Sequence, residues 1–61
     1  MMENKFYAYT QFVNLVASDA LQAYTHNQDV EKVIMSGSKE YNLEPIDVRM
    51  RLDRLIAIVN Q

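Results

Sequence analysis

The chain has 61 residues and contains no cysteine, one glycine, one proline and one histidine. Without cysteine it can form neither a disulfide nor a thiolate metal site, and a single histidine rules out a multi-histidine site. A domain this short buries only about 60% of the surface that its unfolded chain exposes, so marginal stability is expected. Small domains usually gain stability from a disulfide, a metal or a partner subunit. The sequence therefore predicts no cofactor, and it favours association with a second copy or a partner protein.

The sequence also lacks a strong excess of charge and a long hydrophobic run. Six basic and eight acidic residues give a net charge of −2, which is not the basic excess of a typical nucleic-acid binder. The apolar fraction of 49% is typical of a folded domain. No stretch approaches the roughly 20 apolar residues of a membrane span, and no signal-peptide pattern begins the chain. We therefore expect one globular domain over residues 1–61, located in the cytoplasm.

The spacing of apolar residues predicts three α-helices, so the expected fold class is all-α, a small three-helix bundle. The first helix is predicted over residues 5–25. The side of this helix that should face the core contains Phe6, Tyr9, Phe12, Val13, Val16, Ala17, Ala20 and Tyr24.

A polar break precedes the second predicted helix. Asn27 is predicted to cap this helix, with Asp29 and Glu31 in its first turn, where the helix dipole favours acidic side chains. Gly37 lies between two serines and allows two structures. The helix ends near residue 36, or it continues to Tyr41 at a cost of about 1 kcal/mol. The apolar stripe of this helix contains Val30, Val33 and Ile34.

The third helix is predicted to begin after Glu44, with Pro45 at the first position, where the missing N–H of proline costs nothing. Leu43 and Val48 occupy the two positions of a hydrophobic staple around that start. The core stripe of this helix contains Val48, Leu52, Leu55, Ile56 and Val59.

No arrangement of residues predicts catalysis, so we expect that the protein is not an enzyme. Nucleophilic catalysis needs a serine or cysteine beside a base and usually an orienting third group. The only histidine, His26, lies in a predicted turn with no motif around it. A single glycine also excludes a glycine-rich phosphate loop.

A second apolar seam lies on the third helix and contains Ile46, Met50 and Ala57. A helix that packs on one side needs only one apolar stripe, although scattered surface hydrophobics are normal. Tyr7 and Leu21, on the flanks of the first helix, are weaker candidates for the same surface, since tyrosine is enriched at interfaces. The sequence thus predicts an accessory or regulatory protein that acts by protein–protein contact and forms a homodimer or larger assembly.

Three arginines, Arg49, Arg51 and Arg54, lie on the third helix. Asp47 precedes Arg51 by four residues, and Arg49 precedes Asp53 by four. This spacing predicts two intrahelical ion pairs on a solvated surface.

Residues 38–55 resemble the helix-turn-helix of bacterial feast/famine regulators, over 18 of the 61 residues. Asn42 matches the left-handed turn residue of that motif, and Leu43 matches its buried leucine. The sequence departs from the pattern at Glu44, where a serine or threonine usually caps the recognition helix near a phosphate, and its net charge is negative. DNA binding is therefore the alternative function. The resemblance implies that the residues facing the major groove would be Ile46, Asp47, Met50, Arg51 and Arg54.

Overall fold

The computed structural model describes the backbone of residues 2–61 and the side chains of residues 7–61. Its helices are Met2–Thr25 (α1), Val30–Tyr41 (α2) and Pro45–Val59 (α3), and each packs against the other two. No strand occurs in the described chain, so the all-α, three-helix prediction is confirmed. The first helix begins earlier than predicted. The side chain of Phe6, predicted to face the core, lies outside the described residues. Among the described residues, no helix has the length and apolar character needed to cross a bilayer.

Both turns between helices are closed by an asparagine in the left-handed conformation. Asn27 has a φ of 60° and Asn42 a φ of 57°. The residue after each asparagine donates its N–H to a carbonyl five positions back, at 2.8 Å for Gln28 and 2.7 Å for Leu43. These bonds form the Schellman motif, which ends a helix with one residue in the left-handed conformation. After glycine, asparagine is among the residues that adopt this conformation most readily. Asn42 is thus the turn residue, as predicted.

The start of α2 differs from the prediction. Its N-cap is Asp29, whose carboxylate accepts a hydrogen bond from the backbone N–H of Lys32 at 3.2 Å. The prediction of Asn27 as N-cap was wrong because Asn27 is already used to end α1. The N-cap of α3 is Glu44, followed by Pro45, as predicted, although the Glu44 side chain makes no capping bond.

The second helix continues through Gly37 to Tyr41, which decides between the two structures that the sequence allows. Gly37 lies against Val16 of α1. A Cβ atom on Gly37 would lie 2.5 Å from one methyl carbon of Val16 and 2.8 Å from the other. Glycine therefore permits a close approach of α1 and α2, which offsets its unfavourable helix propensity. Three small residues of α1 are also buried in the bundle: Ala17, Ala20 and Ala23.

The core lies between the three helices, and α1 supplies most of it. The two staple residues, Leu43 and Val48, are both part of it, as predicted. Ser38 is buried as well, and its hydroxyl has no hydrogen-bond partner within the described part of the chain. The buried apolar residues are Val13, Val16, Ala17, Ala20, Ala23, Ile34, Leu43, Val48 and Leu52.

Three residues predicted to face the core are exposed instead. Phe12 lies at the edge of the core, where its ring stacks on Tyr41 with centroids 4.6 Å apart. Tyr24 and Val59 lie in the last turns of their helices. Helix ends have fewer neighbours than helix centres, so the apolar stripe there is not enclosed.

Candidate interaction groove between α1 and α3

Tyr9 joins α1 to the start of α3. Its hydroxyl donates a hydrogen bond to the carboxylate of Asp47 and accepts one from the backbone N–H of Glu44 at 3.1 Å. The bond to Asp47 is the main reason that the pKa of Tyr9 lies above its ordinary value of 10.0, and the Glu44 bond acts in the opposite direction. These bonds hold the first turn of α3 against α1.

The role of Tyr9 was missed by the sequence analysis, which placed this residue only in the apolar stripe. A signal existed, because the hydroxyl of a tyrosine in a core stripe usually needs a hydrogen-bond partner. The identity of the partner depends on which helix lies opposite, so Asp47 could not be predicted.

A groove of about 330 Å³ lies beside this contact, between α1 and α3. Val13 is its most buried lining residue, and Met50 lines it while remaining 60% exposed. The groove is lined by both apolar and charged side chains. The residues that line this α1–α3 groove are Tyr9, Thr10, Val13, Asp47, Met50, Arg51 and Arg54.

Two cations of the groove have no acidic partner among residues 7–61. Within the described residues the only salt bridge joins Arg49 to Glu31, so Arg51 and Arg54 are unpaired. The predicted pair between Asp47 and Arg51 is not formed, because Asp47 is bonded to Tyr9. The groove thus presents two guanidinium groups that form no salt bridge with the described part of the chain.

Arg49 has a partner on another helix. Its two terminal nitrogens each lie 2.5 Å from a carboxylate oxygen of Glu31, at the start of α2. The hydrogen bonds from Arg49 lower the pKa of Glu31 below its ordinary value of 4.5. The predicted pair with Asp53 was wrong, because Glu31 offers both carboxylate oxygens to the planar guanidinium of Arg49.

The predicted interface residues do not all lie together. Ile46 and Met50 are 58% and 60% exposed, Tyr7 is 64% exposed, and Ala57 is exposed as well. Of these, only Met50 lines the α1–α3 groove. Ile46 and Ala57 share the outer side of α3 with it, by their helical spacing. Leu21 is half-buried and packs against the core, so it contributes to the fold more than to the surface.

The segment that resembles a helix-turn-helix has a turn of the corresponding form. Asn42 is left-handed and Leu43 is buried between α2 and α3. Of the predicted DNA contacts, Ile46 is exposed outside the groove, and Asp47 is engaged by Tyr9. Met50, Arg51 and Arg54 line the α1–α3 groove together with Asp47.

A second groove, of about 320 Å³, lies between α1 and α2 and was not predicted. It contains one basic and two acidic side chains, so its net charge is −1. No sequence signal identifies it, because its walls come from separate helices. Its lining residues are Val16, Asp19, Lys32, Val33, Ser36, Gly37, Glu40 and Tyr41.

His26 has a local structural role. The side chain is exposed, and its Nδ1 lies 2.8 Å from the carbonyl oxygen of Gln22, in the last turn of α1. Since a carbonyl can only accept, Nδ1–H is the donor of this bond. The same carbonyl also accepts the backbone N–H of His26 and the hydroxyl of Thr25, each at 3.0 Å, so the imidazole adds to the bonds that end α1.

The fold and the groove define a small three-helix, all-α domain with an exposed, partly basic face on α1 and α3. No protein-family model, curated protein or solved structure matches the chain.

Proposed function

We propose that this protein is a small, non-enzymatic accessory protein that acts by protein–protein contact and associates with a second copy of itself. The observation that supports this most directly is the exposure of Ile46 and Met50 on the outer side of α3, at 58% and 60%. Two large apolar side chains one turn apart form a continuous apolar strip that water must solvate. Burial of the strip against a second copy would remove it from water.

The composition of the core supports the same proposal. Three of its nine buried apolar residues are alanines, which bury little surface. Nine large apolar side chains are exposed in the described chain, as many as the apolar residues that are buried. Apolar burial contributes about 25 cal/mol per Å², so a core with many alanines supplies limited stability. Association would add the burial that this core lacks.

Light scattering coupled to size exclusion tests the proposal. We expect a mass above that of one chain at micromolar concentration, and a lower mass for Met50→Asp, because a buried carboxylate is costly. Met35→Asp is the matched control, since Met35 is 54% exposed but lies on α2. A single-chain mass for the unchanged protein at high micromolar concentration would contradict self-association.

DNA binding is the second candidate function, and the left-handed turn at Asn42 with two unpaired arginines favours it. If it is correct, duplex DNA fragments should be shifted in a strongly salt-dependent manner. The double substitution Arg51→Ala with Arg54→Ala should abolish the shift, whereas Lys32→Ala, which removes a positive charge of α2 outside residues 38–55, should not. The absence of any shift of genomic fragments at low salt would eliminate this function.

A further inference from the structure

We propose that the α1–α3 groove binds an acidic, amphipathic segment of a partner protein. This inference rests on the proposed role in protein–protein contact, and it assigns a partner class to one surface. The apolar side chains of the segment would lie in the groove over Val13 and Met50. Its carboxylates would pair with Arg51 and Arg54.

The arginines of α3 indicate the charge of the partner. Arg49 forms a two-pronged pair with Glu31 inside the chain, whereas Arg51 and Arg54 have no such partner within the described residues. Both unpaired arginines line the groove, and they are three residues apart on one side of the helix. The planar guanidinium matches the two oxygens of a carboxylate, so two such groups side by side favour an acidic ligand.

The single acidic residue of the groove does not oppose such a ligand directly. Asp47 accepts the hydrogen bond from the Tyr9 hydroxyl, and this bond keeps its carboxylate at the end of the groove nearest the α2–α3 turn. Arg51 and Arg54 follow along the helix, toward the open part. An acidic segment can therefore meet the two arginines one turn away from Asp47.

The apolar part of the groove favours protein over nucleic acid as the occupant. Met50 is 60% exposed in the groove, and the buried residue Val13 also lines it. A phosphate backbone gains nothing from these side chains, whereas leucine or phenylalanine side chains of a helix would bury them. Glu44, the N-cap of α3, and Asp53 within α3 also oppose the uniform negative charge of a duplex.

The volume of the groove sets the size of what it can hold. At about 330 Å³ it lies at the lower end of the range for ligand sites, about 300 to 1,000 Å³. It therefore accommodates a few side chains of a docked segment, with the rest of that segment along the surface of α3. A helix of about 16 residues would cover the length of α3.

Selection from a displayed library of random peptides of about 16 residues, with the full chain as bait, tests this inference. We expect selected peptides with aspartate or glutamate beside apolar residues at helical spacing. Affinities of the leading synthetic peptide are then measured by fluorescence anisotropy. Arg51→Glu with Arg54→Glu should weaken its binding about tenfold or more, because two ion pairs become repulsions. The milder pair Arg51→Gln with Arg54→Gln should give a smaller loss.

The control variant Lys32→Glu with Lys39→Glu makes the same charge change on α2, and it should leave peptide affinity unchanged. Circular dichroism checks that each variant is folded. The inference is overturned if no peptides are selected, if they lack acidic residues, or if the arginine variants bind them normally. Displacement of the peptide by an equal concentration of a short DNA duplex would also overturn it, in favour of a nucleic-acid groove.

Ile46→Ser, which removes the apolar side chain without adding charge, separates this inference from self-association, because Ile46 lies outside the groove. If both proposals hold, this variant has a lower mass and still binds the acidic peptide in the groove. A single-chain mass for the unchanged protein with normal peptide binding contradicts self-association alone. A multimer that selects no acidic peptide contradicts the acidic segment alone.

Discussion

Gly37 lies against Val16 of α1, the next residue Ser38 is buried, and neither residue follows its local preference. Glycine is a poor helix former, yet it lies inside α2. Serine is usually exposed, yet Ser38 is buried without a partner for its hydroxyl in the described structure. At both positions the small size of the side chain matters more than its chemistry.

Gly37→Ala should destabilise the protein although alanine is the better helix former. The added Cβ would lie 2.5 Å from a methyl carbon of Val16, whose β-branched side chain has little freedom to move in a helix. Overpacking costs about 1 to 3 kcal/mol and exceeds a propensity gain of about 1 kcal/mol. We expect urea unfolding to show a net loss of up to about 2 kcal/mol, the difference between these two quantities.

The exposed neighbour Ser36→Ala is the control for helix propensity, and it should be neutral or slightly stabilising. If the clash with Val16 is the cause, Val16→Ala combined with Gly37→Ala should lose less than the two single losses added together. A Gly37→Ala variant more stable than the unchanged protein would contradict the close contact.

Ser38→Ala should stabilise the protein. A buried hydroxyl without a hydrogen bond has lost its contacts with water and gained none, and its removal relieves about 1 kcal/mol of that cost. Ser18→Ala, on the exposed side of α1, reports the gain from helix propensity alone. We expect the gain from Ser38→Ala to exceed that control in the same urea titrations. An equal or smaller gain would mean that the hydroxyl is satisfied in solution.

At the scale of the helices, the contact between Tyr9 and Asp47 sets where α3 begins relative to α1. The Tyr9 hydroxyl bonds both the Asp47 side chain and the Glu44 backbone. The two helices therefore meet at a defined level, and the α1–α3 groove begins there. Its shape depends on this contact as well as on the apolar core.

Tyr9→Phe should lower the thermal midpoint of unfolding and weaken binding of acidic peptides in the groove. The ring stays in place while both hydrogen bonds are lost, and the carboxylate of Asp47 becomes free to pair with Arg51. Tyr24→Phe, an exposed tyrosine near the end of α1, should change neither quantity. Equal thermal midpoints for Tyr9→Phe and the unchanged protein would contradict this role.

The same contact predicts a dependence on alkaline pH. Folding raises the pKa of Tyr9, mainly through the bond to Asp47, so the folded state holds this proton more tightly than the unfolded state. The stabilisation is complete below the ordinary pKa of 10.0 and is lost as the pH rises through the higher value of the folded state. The difference in stability between the unchanged protein and Tyr9→Phe should therefore shrink over that range.

For the whole molecule, the length of α1 explains much of the exposed surface. A helix of 24 residues is about 36 Å long, close to the longest dimension of 39 Å, whereas α2 has only 12 residues. The bonds of Tyr9 place the α2–α3 turn beside that residue, so Tyr7 lies beyond the turn and is exposed. The short helices leave part of the long one uncovered.

The accessible surface of the molecule is larger than expected for a compact monomer of its mass. It amounts to 4832 Å², whereas a compact monomer of 7.1 kDa is expected to expose about 4,100 Å². The excess lies in a chain that has neither a disulfide nor a large core. This is the physical basis of the proposed association, which the mass measurements and the Met50→Asp variant test.

Local interactions allowed the sequence by itself to determine the helices and their turns. Helix periodicity, the left-handed preference of Asn42, and Pro45 after Glu44 each act within a few residues, so they can be recognised along the chain. The N-cap of α2 was misassigned because Asn27 and Asp29 suit neighbouring positions equally well. That choice depends on where α1 ends.

Only the tertiary structure decided which groups meet between helices. Gly37 stays within a helix because Val16 lies opposite, Arg49 pairs with Glu31 of α2, and Tyr9 engages Asp47. Arg49 and Glu31 are 18 residues apart in the sequence, and Tyr9 and Asp47 are 38 residues apart, so no local pattern links the members of either pair. The α1–α3 groove is a consequence of the same contacts, since packing alone sets which faces of two helices are adjacent.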